Sequence, residues 1–539
     1  MSNGLENNKS SMYPETLDAL VIGAGVTGIY QLYRLREAGI NAKIFEAGGG
    51  VGGTWYWNRY PGARFDSESW TYGYSFSEEL LQEWSWKEHF SGQPENEKYL
   101  NYVTDKFKLR DRICFNERIK AATFDNESNT WRVESETGRC VTTKYLIAAV
   151  GILSATHMPE IDGIQNFKGQ SFHTSRWPHD PVDFSGKRVG VIGTGACAVQ
   201  LIPHVAKECG HLTVFQRTPN FCAPLHNSEI DDETQQEIKS KYPEIFKRCN
   251  ETIAGFIHEA DPRSTFDLSE KEREEFYEDI WSQPGFKKWF GNFRDLMTNR
   301  EANEIYCEFV RKKIRERVDD PVVAEMLCPK DHHFGAKRIP LETNYYESYN
   351  RENVRLVDVK NDSIQEILPN GLRTTNEYYE LDIIIYATGF DAITGELTRM
   401  DIRGAAGKTI REHWKEGPKN YMGLQTSEFP NLFIENGAVF CNFTRCAEVT
   451  AEFVSNCIVH MKENNLNRIE ATSEAEREWG DHSNHLIRNM LTSDVNSWFF
   501  GTNIPGKAQA FLFYAGGGPA YRSKCDEVAA NNYDGFKLS

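Results

Sequence analysis

Two glycine-rich strings, Gly23-Ala-Gly25-Val-Thr-Gly28 and Gly193-Thr-Gly195-Ala-Cys-Ala198, have the spacing of a turn that holds a pyrophosphate. Each follows an apolar run, residues 17–22 and 187–192, that predicts a strand. Each precedes a helical pattern, through Ile29, Leu32 and Leu35 in the first and through Val199, Leu201 and Ile202 in the second. The first glycine permits the tight turn. The second lets backbone approach the phosphates. The third position must be small so that helix closes on strand, and Ala198 is a common variant there. The helix N-terminus adds free N–H groups and a positive dipole end.

The residues that would read the rest of each nucleotide are opposite in sign. The next strand of the first unit, residues 43–46, ends in Glu46, 21 residues after Gly25, placed to accept from ribose hydroxyls. The corresponding strand of the second unit, 212–216, ends in Arg217 and Thr218. An acid there would repel a 2′-phosphate, whereas a guanidinium binds one bidentately. FAD at the first site and NADPH at the second follow from this contrast.

Between and after these units stand strings that neither site requires. Gly52-Gly53-Thr54-Trp55-Tyr56-Trp57-Asn58-Arg59-Tyr60-Pro61-Gly62 is aromatic and lacks the cysteine pair of disulfide reductases, which argues against a redox disulfide next to the flavin. Phe167-Lys-Gly169-Gln-Ser-Phe-His173-Thr-Ser-Arg-Trp177-Pro178 reads F-x-G-x-x-x-H-x-x-x-W-P. Together they resemble the flavin-binding segment and the fingerprint of type I Baeyer–Villiger monooxygenases, and the resemblance runs from residue 18 to about 517. It implies the reaction ketone + NADPH + O2 to ester or lactone + NADP+ + water, through a flavin C4a-peroxide. It further implies that Thr54, Trp55, Asp66 and Tyr72 contact the flavin and that Lys337 assists Arg217. Trp498, in Ser497-Trp498-Phe-Phe-Gly501, would lie on the cofactor side or in the core. Arg338 would be the oxygenation residue, with Asp66 as its partner. N- or S-oxygenating flavin monooxygenases are the alternative, but those relatives lack the Trp177-Pro178 ending. A non-catalytic redox sensor is a third reading, opposed by two intact nucleotide fingerprints.

Arg338 also has a physical case. Asp331-His-His-Phe-Gly335-Ala-Lys337-Arg338-Ile-Pro340 predicts a loop carrying adjacent cations. Oxygen insertion passes through anionic species, which a permanently charged guanidinium stabilises. A buried Arg needs a counter-charge, and Asp66 is the candidate. For His173 two readings stay open: a charge switch or anchor of the NADP unit, or a satisfied buried imidazole. Trp177 reads as packing.

The elements that must position these groups form an α/β chain with two Rossmann-like units. Ala387-Thr388-Gly389 and Ala149-Val150-Gly151 read as strand ends where the chain crosses between units. The nested plan has an FAD unit at 1–155 and 387–539 and an NADP unit at 156–227 and 331–386. A charge-rich helical insertion at 228–330 reads as a solvated covering. At 539 residues, 40% apolar and 12% aromatic, the chain can bury several cores. Its net charge of −17 disfavours nucleic-acid and anionic-membrane partners. A monomer or weak homo-oligomer is expected. Residues 1–16 lack the apolar stretch of a secretory signal, and no run reaches the length of a membrane span, so a cytoplasmic location is expected. The 12 cysteines show no C-x-x-C and no metal-ligand spacing, which predicts reduced thiols and no metal. One segment departs from the family: 434–446, Ile-Glu-Asn-Gly-Ala-Val-Phe-Cys-Asn-Phe-Thr-Arg-Cys, lacks the Gly-Pro turn of many relatives. Pocket shape and the particular ketone therefore stay open.

Overall fold

A computed structural model describes residues 15–435, 439 and 441–539. The stretch before Glu15, and Asn436, Gly437, Ala438 and Phe440 of the departing segment, lie outside the described residues.

The first glycine turn joins β1 (Glu15–Ile22) to α1 (Val26–Glu37), and β2 (Ala42–Phe45) follows. Residues 19–22 of β1 are all buried, as expected of a central strand covered on both faces. Further strands are β3 (Ile113–Cys114), β4 (Ile119–Asp125), β5 (Thr130–Ser135) and β6 (Cys140–Ala148). The second unit repeats the plan with β7 (Gln170–His173), β8 (Arg188–Ile192), α2 (Ala196–Glu208) and β9 (His211–Gln216). Six helices intervene: α3 (Asp232–Ser240), α4 (Tyr242–Glu251), α5 (Glu270–Ser282), α6 (Lys287–Phe290), α7 (Arg300–Arg315) and α8 (Pro321–Leu327). Then come β10 (Val354–Asp358), β11 (Ile383–Tyr386), β12 (Asp401–Arg403), β13 (Leu432–Ile434) and α9 (Phe443–Glu463).

The first sheet runs β12-β4-β5-β6-β1-β2-β3, with β13 also on β6. The second runs β10-β9-β8-β11-β7. Around each glycine turn the order is the same: β3-β2-β1-β6 in one sheet and β10-β9-β8-β11 in the other, all parallel. Ile22 pairs with both Phe45 and Ala148, and Ile192 with both Phe215 and Tyr386, so in each sheet the carboxyl ends align. Open α/β sheets bind nucleotides at that edge.

The chain leaves the first unit through Ala149 and re-enters it through Ala387. These crossings explain the first glycine of each fingerprint. Gly23 and Gly193 both adopt φ +103°, and a Cβ on either would lie 2.6 Å from the carbonyl oxygen of Ala149 or Ala387. No side chain fits there. At Gly28 a Cβ would meet the Gly23 oxygen at 1.9 Å, so helix and turn close only over glycine.

The F-x-G-x-x-x-H-x-x-x-W-P string is a structural connector. The Phe167 ring covers Gly169, whose Cβ would lie 2.6 Å from it and 2.3 Å from the Asp382 oxygen. His173 ends β7. Its Nδ1 accepts from the Ser175 N–H at 3.1 Å, and its Nε2 lies 3.4 Å from Thr388 Oγ1 at the return crossing. Burial pushes this imidazole down to about 4, with Arg176 adding to the effect against an opposing backbone contact. Held at both ring nitrogens and buried, His173 has the contacts of an anchor between β7 and the return crossing. Trp177 is buried beside Phe172 and Phe184, and its backbone N–H donates to the Trp57 carbonyl at 3.4 Å, tying the second unit to the first. Pro178 follows it as the chain turns away.

The insertion is more than a solvated covering. Tyr277, Ile280, Tyr306, Val310 and Ile314 share one buried cluster with Val189, Val191 and Val214 of the second sheet. The outer face is charged, with exposed pairs such as Lys312–Glu274 that contribute little stability, while Lys288 and Arg311 are buried. The cysteine expectation also needs one correction. Cys441 and Cys446 are joined, their Cα atoms 6.5 Å apart, while the other cysteines are free. A five-residue spacing at a helix start brings two side chains together, which sequence spacing alone does not reveal. No helix is long and apolar enough to cross a membrane, and no group of side chains could hold a metal, among the described residues.

Candidate active site

A cavity of about 940 Å³ lies between the carboxyl edges of the two sheets. Gly23, Gly25, Glu46, Thr54, Trp55, Asp66 and Tyr72 line it from one side. Gly193, Gly195, Arg217, Thr218, Lys337 and Arg338 line it from the other, and Trp498 also lines it. Of the residues expected at the cofactors, Gly28 and Ala198 do not reach the cavity: they pack the helix starts beneath it. None of Phe167, Gly169, His173, Trp177 and Pro178 reaches it either.

The first half suits FAD. Glu46 is buried, and each carboxylate oxygen accepts a backbone N–H at 2.6 Å, from Ala24 and from Gly48. Burial raises its pKa, and those two donors oppose the rise. The remaining lone pairs can still accept ribose hydroxyls. A Cβ on Gly25 would sit 3.5 Å from the Gly53 Cα, and one on Gly53 would sit 2.8 Å from the Gly25 Cα, so the two bare backbones pack against each other at the cavity edge. Trp55 Nε1 donates to the Tyr72 hydroxyl at 3.0 Å, and Tyr72 stacks on Phe65 at 4.3 Å. This makes a rigid aromatic wall. Thr54 opens the short helix that follows Gly53.

The second half suits a dinucleotide with an extra phosphate. A Cβ on Gly195 would meet nothing within 4 Å, leaving its backbone open to the cavity. Arg217 is exposed at the end of β9, with Thr218 next to it. Burial lowers the pKa of Lys337; Asp331 opposes this and the Arg217 charge adds to it. Among the described residues neither Arg217 nor Lys337 is in a salt bridge. Two neighbouring cations without a paired carboxylate are what a 2′-phosphate requires.

At the junction, Arg338 Nη2 lies 2.9 Å from Asp66 Oδ2. The Asp66 side chain is 1% exposed and that of Arg338 30%, so the guanidinium reaches the cavity while its partner is buried. Burial raises the Asp66 pKa; the Arg338 charge and the Leu341 N–H oppose it. The loop carrying Arg338 is clamped by the insertion. Asn303 of α7 accepts from the Phe334 N–H and donates to the Phe334 carbonyl, both at 2.9 Å. Gly335, at φ +80°, lies so close to Met297 and Trp289 that a Cβ would be 2.6 Å from each.

Sequence reasoning missed several cavity residues. Phe256, Phe286 and Phe290 of the insertion form an apolar wall, with ring centroids 5.1 Å apart from Phe256 to each of the others. The Arg338 guanidinium lies 5.9 Å from the Phe286 ring centre. Aromatic periodicity marks a buried face but not what it is buried against. Arg176 stacks on Trp57 at 4.5 Å and adds positive charge near Glu46. It sits inside the fingerprint, one residue before Trp177, and that position was the only signal for it. Trp498 is half-buried against Phe499 and Phe513. In the departing segment, Val439 and Cys441 line the cavity, and Glu435 is buried, its pKa raised well above the usual range by burial.

The pyridine nucleotide-disulphide oxidoreductase family model matches residues 20–305. The chain is 48% identical to 2-oxo-Delta(3)-4,5,5-trimethylcyclopentenylacetyl-CoA monooxygenase of Pseudomonas putida, over 97% of this chain and 98% of that one. It is 40% identical to phenazine N-monooxygenase PhzNO1 of Lysobacter antibioticus, over 97% of each. It superposes on the crystal structure of OTEMO complexed with FAD and NADP with a TM-score of 0.95, at 48% identity, over 98% of this chain and 100% of that one. With two dinucleotide edges facing one cavity and full-length similarity of this kind, the chain belongs to the Baeyer–Villiger monooxygenases, enzymes that use FAD and NADPH to oxygenate ketones.

Proposed function

We propose that the Arg338–Asp66 pair, set at the junction of the two dinucleotide edges, is the oxygenation machinery of this ketone monooxygenase. In this reading residues 1–155 and 387–539 hold FAD, 156–227 and 331–386 hold NADPH, and 228–330 furnish the apolar wall. The flavin, when bound, supplies a hydride acceptor and a ring that activates dioxygen. Glu46, Gly25, Thr54, Trp55 and Tyr72 orient it. Arg217, Thr218, Lys337 and Trp498 seat the NADPH. Arg338 stabilises negative charge as it develops on the substrate carbonyl oxygen, and a permanently protonated group does so without giving up a proton. Asp66 fixes the guanidinium, and its burial keeps water from competing for it. Phe256, Phe286 and Phe290 exclude water and face the ketone's carbon skeleton. The ion pair with one buried and one cavity-facing partner carries this reading. An acidic chain whose cysteines are free apart from one pair fits a cytoplasmic enzyme, a monomer or weak homo-oligomer without nucleic-acid or membrane partners.

The likeness to a phenazine N-monooxygenase keeps N- or S-oxygenation as the second reading. NADPH oxidation by the FAD-loaded enzyme against a panel of cyclic ketones, linear ketones, amines and sulfides decides between them, with products identified by mass. Lactones or esters are expected. Exclusive formation of N-oxides or sulfoxides would reverse the order.

Cofactor choice has its own test. Arg217→Ala is expected to weaken NADPH by about 1.5–3 kcal/mol, the range for a charge-assisted hydrogen bond. KM for NADH should stay near that of the parent. Equal loss for both nucleotides would show that Arg217 does not read the 2′-phosphate.

A further inference from the structure

Asn220 lies three residues after Arg217 and connects the phosphate end of the cavity to Arg338. Its Nδ2 donates to the Arg338 carbonyl at 2.9 Å. Its Oδ1 lies 3.1 Å from His332 Nε2, and His332 Nδ1 lies 2.7 Å from Asp331 Oδ1. The His332 side chain is fully buried, with the Phe221 ring edge-on at 5.3 Å.

Donor and acceptor counting restricts this chain. The Arg338 carbonyl only accepts, so it must face the amide NH2 of Asn220. The amide oxygen then faces Nε2, which must carry a proton. Asp331 is held ionised: burial works against its charge, but His332 and Lys337 outweigh burial. An ionised carboxylate only accepts, so Nδ1 must carry a proton too. Both contacts are complete only when His332 is an imidazolium. A neutral ring leaves one of them without a hydrogen.

The surroundings of His332 make that proton conditional. On its own segment it faces Lys337 and His333, which disfavour it, and Asp331, which favours it. From the β9 end it faces the neutral Asn220 and Phe221, and from α7 Arg311 reaches over the Phe221 ring. Burial, and then Lys337, push the imidazole down to about 4 while the phosphate site carries no anion. Lys337 is one of the two cations proposed to hold the 2′-phosphate. An anion there offsets the charge that keeps His332 neutral.

We propose that Asn220 is a positioning residue for Arg338, and that an anion at Arg217 and Lys337 lets His332 take up the proton that completes the Asp331–His332–Asn220–Arg338 chain. The NADPH phosphate end and the oxygenation residue are thereby coupled. This rests on the reading of Arg338 given above.

Two experiments on the FAD-loaded enzyme test it. Calorimetric titration with NADP+ near pH 6, in two buffers of different ionisation enthalpy, counts protons exchanged on binding. Any proton lost by the phosphate itself is common to parent and variant. The parent is expected to take up more than His332→Gln, by as much as one proton; identical counts overturn the role of His332. The second uses Asn220→Asp, which keeps the shape of the side chain but turns the donor toward Arg338 into an acceptor, with Asn220→Ala alongside. At saturating NADPH, anaerobic flavin reduction should stay within about twofold of the parent. Ester formed per NADPH should fall by between about tenfold and a hundredfold, the scale of a displaced reacting group. A packing role would tolerate the isostere, so parental coupling in Asn220→Asp overturns the positioning role, as does a loss of reduction equal to the loss of ester. If Arg338→Ala itself keeps its ester yield, the failure belongs to the reading of Arg338 and not to this coupling.

Discussion

Arg338→Ala is expected to separate flavin reduction from oxygenation. Hydride transfer needs only a correctly seated nicotinamide, and Arg338 meets the cavity at the junction with Asp66. The variant should therefore bleach with NADPH in the absence of oxygen at close to the parental rate. With air and ketone it should consume NADPH, release hydrogen peroxide and form little ester. Loss of one preorganised stabilising group costs about 10²–10³ in rate. Asp66→Ala should lower ester formation in the same direction, because it leaves the guanidinium without its 2.9 Å partner. Stopped-flow reduction and product analysis on one preparation check both. A near-parental ester yield from Arg338→Ala would sink the assignment.

Gly25→Val should give a folded but colourless protein. The Gly25 Cβ position is 3.5 Å from the Gly53 Cα, an ordinary contact, so the turn itself tolerates a side chain. The branched methyls of valine would occupy the place where the pyrophosphate must approach the bare backbone of the turn. Gly28→Ala is the contrast. Its Cβ would overlap the Gly23 oxygen at 1.9 Å, so that variant should lose stability before binding is in question. Flavin absorbance per chain and a thermal melt distinguish the two. Stoichiometric FAD in a folded Gly25→Val would contradict the site.

What the sequence determined by itself is local in origin. A glycine turn is dictated by sterics within about six residues, so strand, turn, helix and the sign of the next selectivity residue could all be read along the chain. Ala149 and Ala387 were legible as strand-end crossings, but that their carbonyls cover the first glycines is a contact between distant parts of the chain that only the fold shows. The aromatic segment after Gly53 carries no cysteine, which by composition alone argued against a redox disulfide at that segment. The resemblance of the segments around Asp66 and Arg338 named these two residues, and the counter-charge that a buried guanidinium needs gave the reason to pair them.

Tertiary structure decided which faces meet. The insertion's pattern showed that one face is apolar; only packing shows that Phe256, Phe286 and Phe290 face the cavity and that Asn303 clamps the Arg338 loop. His173 had two readings in the sequence, and only the fold shows that it is buried against Thr388 at the return crossing. Cys441 and Cys446 have no motif spacing, and the start of α9 brings them together. Asn220 carries no sequence signal, because an amide's role depends on which donors and acceptors surround it. Backbone sterics act between neighbours in the chain and can be read there. Burial, ion pairing and hydrogen-bond complementarity act between residues far apart in the chain, and for these the fold alone sets the partners.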